Sequence, residues 1–87
     1  MDWEKVGEVT NYFNRVGVAV VTLFERLEVG DWIGFVRNEE LLFEQEVTSI
    51  QVEHENIMYA EAGDDIGLQV SQKVRRGTGV YRLLPEE

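Results

Sequence analysis

The chain has 87 residues, with 8 lysines and arginines against 17 aspartates and glutamates, giving a formal charge of −9, and 44 % of its residues are hydrophobic. That apolar content excludes general disorder, and the negative balance argues against attraction of the whole surface to nucleic acid or anionic lipid. The absence of cysteine excludes disulfides, thiolate zinc sites and cysteine nucleophiles.

From Glu4 to Leu23 the chain is rich in Val, Thr, Tyr and Phe, punctuated near Asn14 to Gly17, which predicts a hairpin of two strands. Gly7 in the first strand marks a bulge or a close backbone approach. The second strand is apolar on both faces from Val18 to Phe24 and is expected at the centre of the sheet. Leu27 to Ile33 reads as a Gly-Asp turn entering a third strand that carries Ile33 and Phe35 inward. Glu40 to Val47 contains helix-favouring Leu, Glu and Gln, yet the β-branched alternation that follows favours strand. The apolar phase jumps from Phe43 and Val47 to Ile50 and Val52, which predicts a bulge at Thr48-Ser49. Ile57 and Met58 open a short strand, Gly63 supplies a positive-φ turn, and Ile66, Leu68 and Val70 share one strand face. Lys73 to Gly79 leads through a Gly77-Thr78-Gly79 hairpin turn to a last strand, Val80 to Leu84.

The expected architecture is all-β: a small closed antiparallel β-barrel of six or seven strands, filling residues 1–87 as one domain with a frayed tail at 85–87. The longest apolar run, Val16 to Phe24, is short of the roughly 20 residues a spanning helix needs. The first five residues lack the pattern of a secretory signal, so a cytoplasmic location is expected.

The ordered motifs Val6-Gly7-Glu8-Val9, Val16-Gly17-Val18-Ala19-Val20, Leu27-Glu28-Val29-Gly30-Asp31-Trp32-Ile33, Ile50-Gln51-Val52-Glu53-His54 and Ala60-Glu61-Ala62-Gly63-Asp64-Asp65-Ile66-Gly67-Leu68 carry a resemblance. They resemble the second, β-barrel domain of translational GTPases of the elongation factor Tu type. The likeness extends to small archaeal translation elongation factor-like proteins and to barrels appended to collagenase-like peptidases. It implies a translation-factor domain 2-like fold and, as partner, tRNA, ribosomal RNA or a ribosome-associated protein. No Gly-x-x-x-x-Gly-Lys-Ser/Thr motif is present, so no GTP hydrolysis is expected.

One basic cluster stands out against the acidic background: Lys73, Arg75, Arg76 and Arg82, with Tyr81 among them. Arginine pairs bidentately with phosphate and tyrosine stacks on unpaired bases, so these residues, with His54, are the candidate RNA or partner site. The competing reading is a barrel rim whose cations pair with surplus glutamates. His54 lies between Glu53 and Glu55, which on a strand point away from it. Asp64 and Asp65 follow Gly63 and read as turn formers. The expectation is therefore a non-catalytic module with no cofactor, no metal and no catalytic residues. The rival is an acidic adaptor that meets a basic protein and uses Trp3, Trp32 or Tyr12 as anchors.

Overall fold

The computed structural model describes residues 2–85, built of short antiparallel strands. β1 (Trp3–Phe13) and β2 (Val18–Leu23) form the expected hairpin, turning through residues 14–17 with Gly17 at φ 66°. β2 buries Ala19, Val21 and Leu23 and leaves Val18, Val20 and Thr22 half-exposed. β3 (Leu27–Glu28) is followed by a Gly-Asp turn, β4 (Trp32–Arg37) and β5 (Glu40–Glu46). β5 is a strand despite its helix-forming residues, because it pairs along β4 and stacks Phe43 on Phe35 with ring centroids 4.5 Å apart. The remaining strands are β6 (Ile50–Val52), β7 (Glu55–Ile57), β8 (Tyr59–Ala60), β9 (Asp65–Gln69) and β10 (Gly79–Leu83).

The two Gly-Asp turns are one device used twice. Gly30 and Gly63 take φ 100° and 94°, and Asp31 and Asp64 each accept a 2.9 Å hydrogen bond from the backbone N–H three residues earlier, at Glu28 and Glu61. They flank the two-residue β3–β8 ladder, which forms a small second sheet.

The main sheet runs β5-β4-β10-β1-β2-β9-β6-β7. Its inward residues make one contiguous core, with Val6, Val9, Val21, Ile33, Phe35, Ile50, Leu68 and Val80 all buried. Two register shifts, at Lys5/Gly7 and Val9/Asn11, bend β1 across its middle. Gly7 is there because a Cβ would lie 2.7 Å from both the Thr22 carbonyl oxygen and Val21 Cγ1.

Several expectations need correction. The sheet ends at β5 and β7, which do not pair, so the closed barrel is not found among the described residues, which form ten strands in place of the six or seven expected. Where β5 approaches the chain leaving β9, a side-chain amide replaces a ladder. Gln45 Nε2 donates to the Gln69 carbonyl and its Oε1 accepts from the Ser71 N–H, both at 2.8 Å. The phase jump at Thr48-Ser49 is not a bulge. Residues 47–49 carry the chain from β5, at the sheet edge, to β6 beside β9, so the side-chain phase changes because the strand changes. Nor is there a terminal basic hairpin: β10 inserts between β1 and β4, while β9 pairs with β2 and β6. Of the expected tail, Pro85 is exposed and outside any strand, and residues 86–87 lie outside the described residues. Among the described residues no helix is long and apolar enough to cross a membrane.

Candidate functional site

The outward face of the main sheet carries two hollows, one on each side of β1. A glycine shapes each: Gly67 leaves the second hollow open between its neighbours, and Gly79 lets the Tyr81 ring pack down beside the first.

The first hollow, of about 360 Å³, lies over β10, β4 and the start of β1. Gly79 forms its floor beneath the Tyr81 ring, where a Cβ would meet Tyr81 Cε1 at 3.0 Å and Lys5 Cε at 3.4 Å. Lys5, Arg37 and Arg76 supply cations around it, and Glu39 stands on the rim. The two arginines are oriented by main-chain oxygens. Arg37 Nη1 donates to the Arg76 carbonyl at 2.9 Å, and Arg76 Nε to the Thr10 carbonyl at 3.1 Å. Neither has a carboxylate within 4.0 Å among the described residues, while Lys5 lies 3.8 Å from Glu8.

The second hollow, of about 650 Å³, lies over β2, β9 and β6. Its floor is Gly67, paired with Val20 and Gln51 across the two neighbouring strands. Val18 and Val20 form one wall, and at the hairpin end Phe13 and Val16 are 51 % and 60 % exposed. Glu53, His54 and Asp65 line the opposite side, with Asp65 Oδ1 accepting from the Thr22 hydroxyl at 2.6 Å.

The residues singled out from sequence do not form one site. Arg76 and Tyr81 meet at the first hollow. Arg82, adjacent to Tyr81, points to the opposite face as strand geometry requires. There it pairs with Glu4, lies 3.5 Å from Asp31, and donates to the Arg26 carbonyl. It closes one end of the core and is a structural cation. Lys73 and Arg75 are exposed on the crossover from β9 to β10, without a carboxylate partner among the described residues. His54 is at the second hollow, and it sits in a turn, not on a strand: Glu53 and His54 take φ 50° and 68° between β6 and β7. Trp3 is half-buried against Gly34, whereas Trp32 is exposed and donates from its indole nitrogen to Glu44 at 2.6 Å. Sequence reasoning missed Lys5 and Arg37 at the first hollow and Phe13, Val16 and Gly67 at the second. The available signal was a glycine between two inward residues, Ile66 and Leu68.

No known protein family profile matches the chain. A Methanocaldococcus jannaschii protein named as an uncharacterized protease is 32 % identical over 79 residues, which are 91 % of this chain and 19 % of that protein. The chain thus spans about a fifth of the length of this relative. The crystal structure of the C-terminal domain of a Geobacillus thermoleovorans protein assigned to the U32 peptidases shares the fold. Its TM-score is 0.84 at 21 % identity, covering 93 % of each chain. The selenomethionine variant of that domain gives 0.81 at 22 % identity, covering 88 % of this chain and 96 % of its own.

These likenesses overturn the elongation-factor resemblance. The protein similar in sequence and the domain similar in fold both carry peptidase names, so the expected translation-factor-like, RNA-binding module is not upheld. The same peptidase names contradict the expectation of a chain that is not an enzyme. The physical reason for the misreading is that Gly-Asp turns and short alternating strands encode a barrel-like core, which unrelated tasks share.

Proposed function

We propose that this chain serves a protease-related function as a β-domain of the U32 peptidase C-terminal kind, and that it holds an extended polypeptide segment in the hollow over β2, β9 and β6. The observation that carries this reading is the conjunction of exposed Phe13 and Val16 with a Gly67 floor and the carboxylates of Glu53 and Asp65. Apolar walls take an apolar side chain, while the carboxylates, on a chain of charge −9, favour a basic residue next to it. The peptidase names of the relative and of the fold neighbour support polypeptide as the ligand class.

The test is an amide-resolved NMR titration of the labelled chain with amidated peptides that place Leu or Phe beside Lys or Arg, with acidic peptides as the comparison. Saturable shifts at Val18, Gly67 and His54 for the basic-apolar peptides alone are the expected result. Phe13→Ser with Val16→Ser removes side chains that are more than half exposed and is expected to abolish those shifts with only a modest loss of stability. Equal response to both peptide classes, or none to either, refutes the reading.

A further inference from the structure

We propose that the hollow between β10, β4 and β1 binds a carboxylate of a polypeptide, using Arg37 and Arg76 as its ligands and Lys5 as a supporting charge; the polypeptide as source rests on the protease-related reading above. In a chain with only 8 cations against 17 acids, three cations converge on one concavity. Both guanidinium groups are aimed by backbone carbonyls, not neutralised by acids. A guanidinium held this way keeps N–H donors free for an incoming oxyanion, and its planar fork matches a carboxylate.

The hollow's scale selects the ligand. Nucleic acid needs a track of cations along successive phosphates, whereas this site is a single dent of about 360 Å³ with Glu39 on its rim and Glu8 beside Lys5. One anionic group fits, and a polyanion meets repulsion at the border. The Tyr81 ring over Gly79 supplies an apolar wall for the carbon stem that carries the carboxylate. Two sources share this chemistry: the free C-terminus that every peptide-bond cleavage creates, and an Asp or Glu side chain.

The experiment titrates the labelled chain with one apolar pentapeptide in three forms: free C-terminus, amidated C-terminus, and amidated with one internal Glu. Shifts are read at Gly77, Gly79 and Tyr81 and at the Arg37 and Arg76 Nε–H groups. The free-acid or the Glu-containing form is expected to saturate these signals, and the amidated Glu-free form to bind at least about tenfold more weakly. Whichever acid-bearing form binds identifies the source. Arg37→Gln with Arg76→Gln is expected to remove the response, and the wild-type comparison of acid with amide stands even if that variant loses stability. Indifference to amidation together with indifference to the internal Glu overturns the proposal. So does a short single-stranded oligonucleotide that saturates the same signals more tightly than the free acid. Running the series on the Phe13→Ser, Val16→Ser variant separates the two sites: a retained carboxylate response with a silent groove upholds this hollow whatever becomes of the groove reading.

Discussion

Gly7→Ala is the sharpest test of how the sheet is packed. The new methyl would lie 2.7 Å from the Thr22 carbonyl oxygen and 2.7 Å from Val21 Cγ1, several tenths of an ångström inside ordinary contact. Neither neighbour can retreat easily, since Thr22 is paired with Glu8 in the β1–β2 ladder and Val21 is fully buried. Overpacking of this kind costs about 1–3 kcal/mol. At roughly 4–8 °C per kcal/mol for a domain of this length, the thermal midpoint is expected to fall by about 5–20 °C. Gly67→Ala is the matched control, because its Cβ meets Val18 Cγ1 at 3.2 Å and nothing else closer than 3.8 Å. A small shift of that valine suffices, and the roughly 0.4–1 kcal/mol gained by restricting the unfolded chain offsets it. Urea and thermal unfolding, followed together by circular dichroism and by Trp3 and Trp32 fluorescence, measure both variants and check that the transition is two-state. If Gly7→Ala lies within about 0.5 kcal/mol of the parent, or Gly67→Ala is the more damaging, the close approach at the β1 bulge is not a constraint and the reasoning fails.

Four further substitutions have expected outcomes. Thr78 is fully buried with no partner for its hydroxyl among the described residues, so Thr78→Val is expected to be neutral or to raise stability by up to about 1 kcal/mol in urea unfolding. Asn38 and Glu39 turn between β4 and β5 with φ of 52° and 65°; Glu39→Gly relieves the second, and after allowing for glycine's entropy cost should add about 0.5–1 kcal/mol by the same measurement. Arg82→Met strips the partly buried contacts to Glu4, Asp31 and the Arg26 carbonyl and is expected to cost about 1.5–3 kcal/mol, whereas Arg75→Ala should stay within about 0.5 kcal/mol. Equal effects at the two arginines would contradict the structural role given to Arg82.

What was legible in the sequence was local. The β1–β2 hairpin and both Gly-Asp turns depend on residues within a few positions of one another, and the glycine that each requires is visible. The insertion of β10 between β1 and β4 is not local, and no residue near Gly79 encodes it. The break after β4 is legible at Asn38-Glu39, but the turn at Glu53-His54 is not, because neither residue is the Asn or Gly that left-handed backbone normally selects. His54 was therefore placed on a strand. The basic cluster failed as a unit because closeness in sequence was taken for closeness in space. Tyr81 and Arg82 are neighbours in the chain and opposite in the sheet, while Lys5 and Arg37 reach the Arg76 hollow from two other strands.

The glycines help to explain how the two hollows beside β1 differ. Gly7 and Gly34 are buried where neighbouring groups crowd in, from Thr22 and Val21 in one case and from Leu41 and Trp3 in the other, so their missing side chains are used by the fold. Gly67 sits in the outward phase of its strand, between inward Ile66 and Leu68, and its missing side chain opens space to solvent, whereas Gly79 is buried beneath Tyr81, where a Cβ would meet the ring at 3.0 Å, so its missing side chain seats the ring that walls the first hollow. The electrostatics are then set by the flanking strands. β10 and β4 bring Arg37, Tyr81 and the Arg76 loop to one dent; β9 and the β6–β7 turn bring Asp65 and Glu53 to the other. Since β1 separates the two in the strand order and Arg76 is tied to its far end at Thr10, each hollow can be changed without rebuilding the other. The opposite charge linings of these two hollows thus follow from which strands and loops flank them.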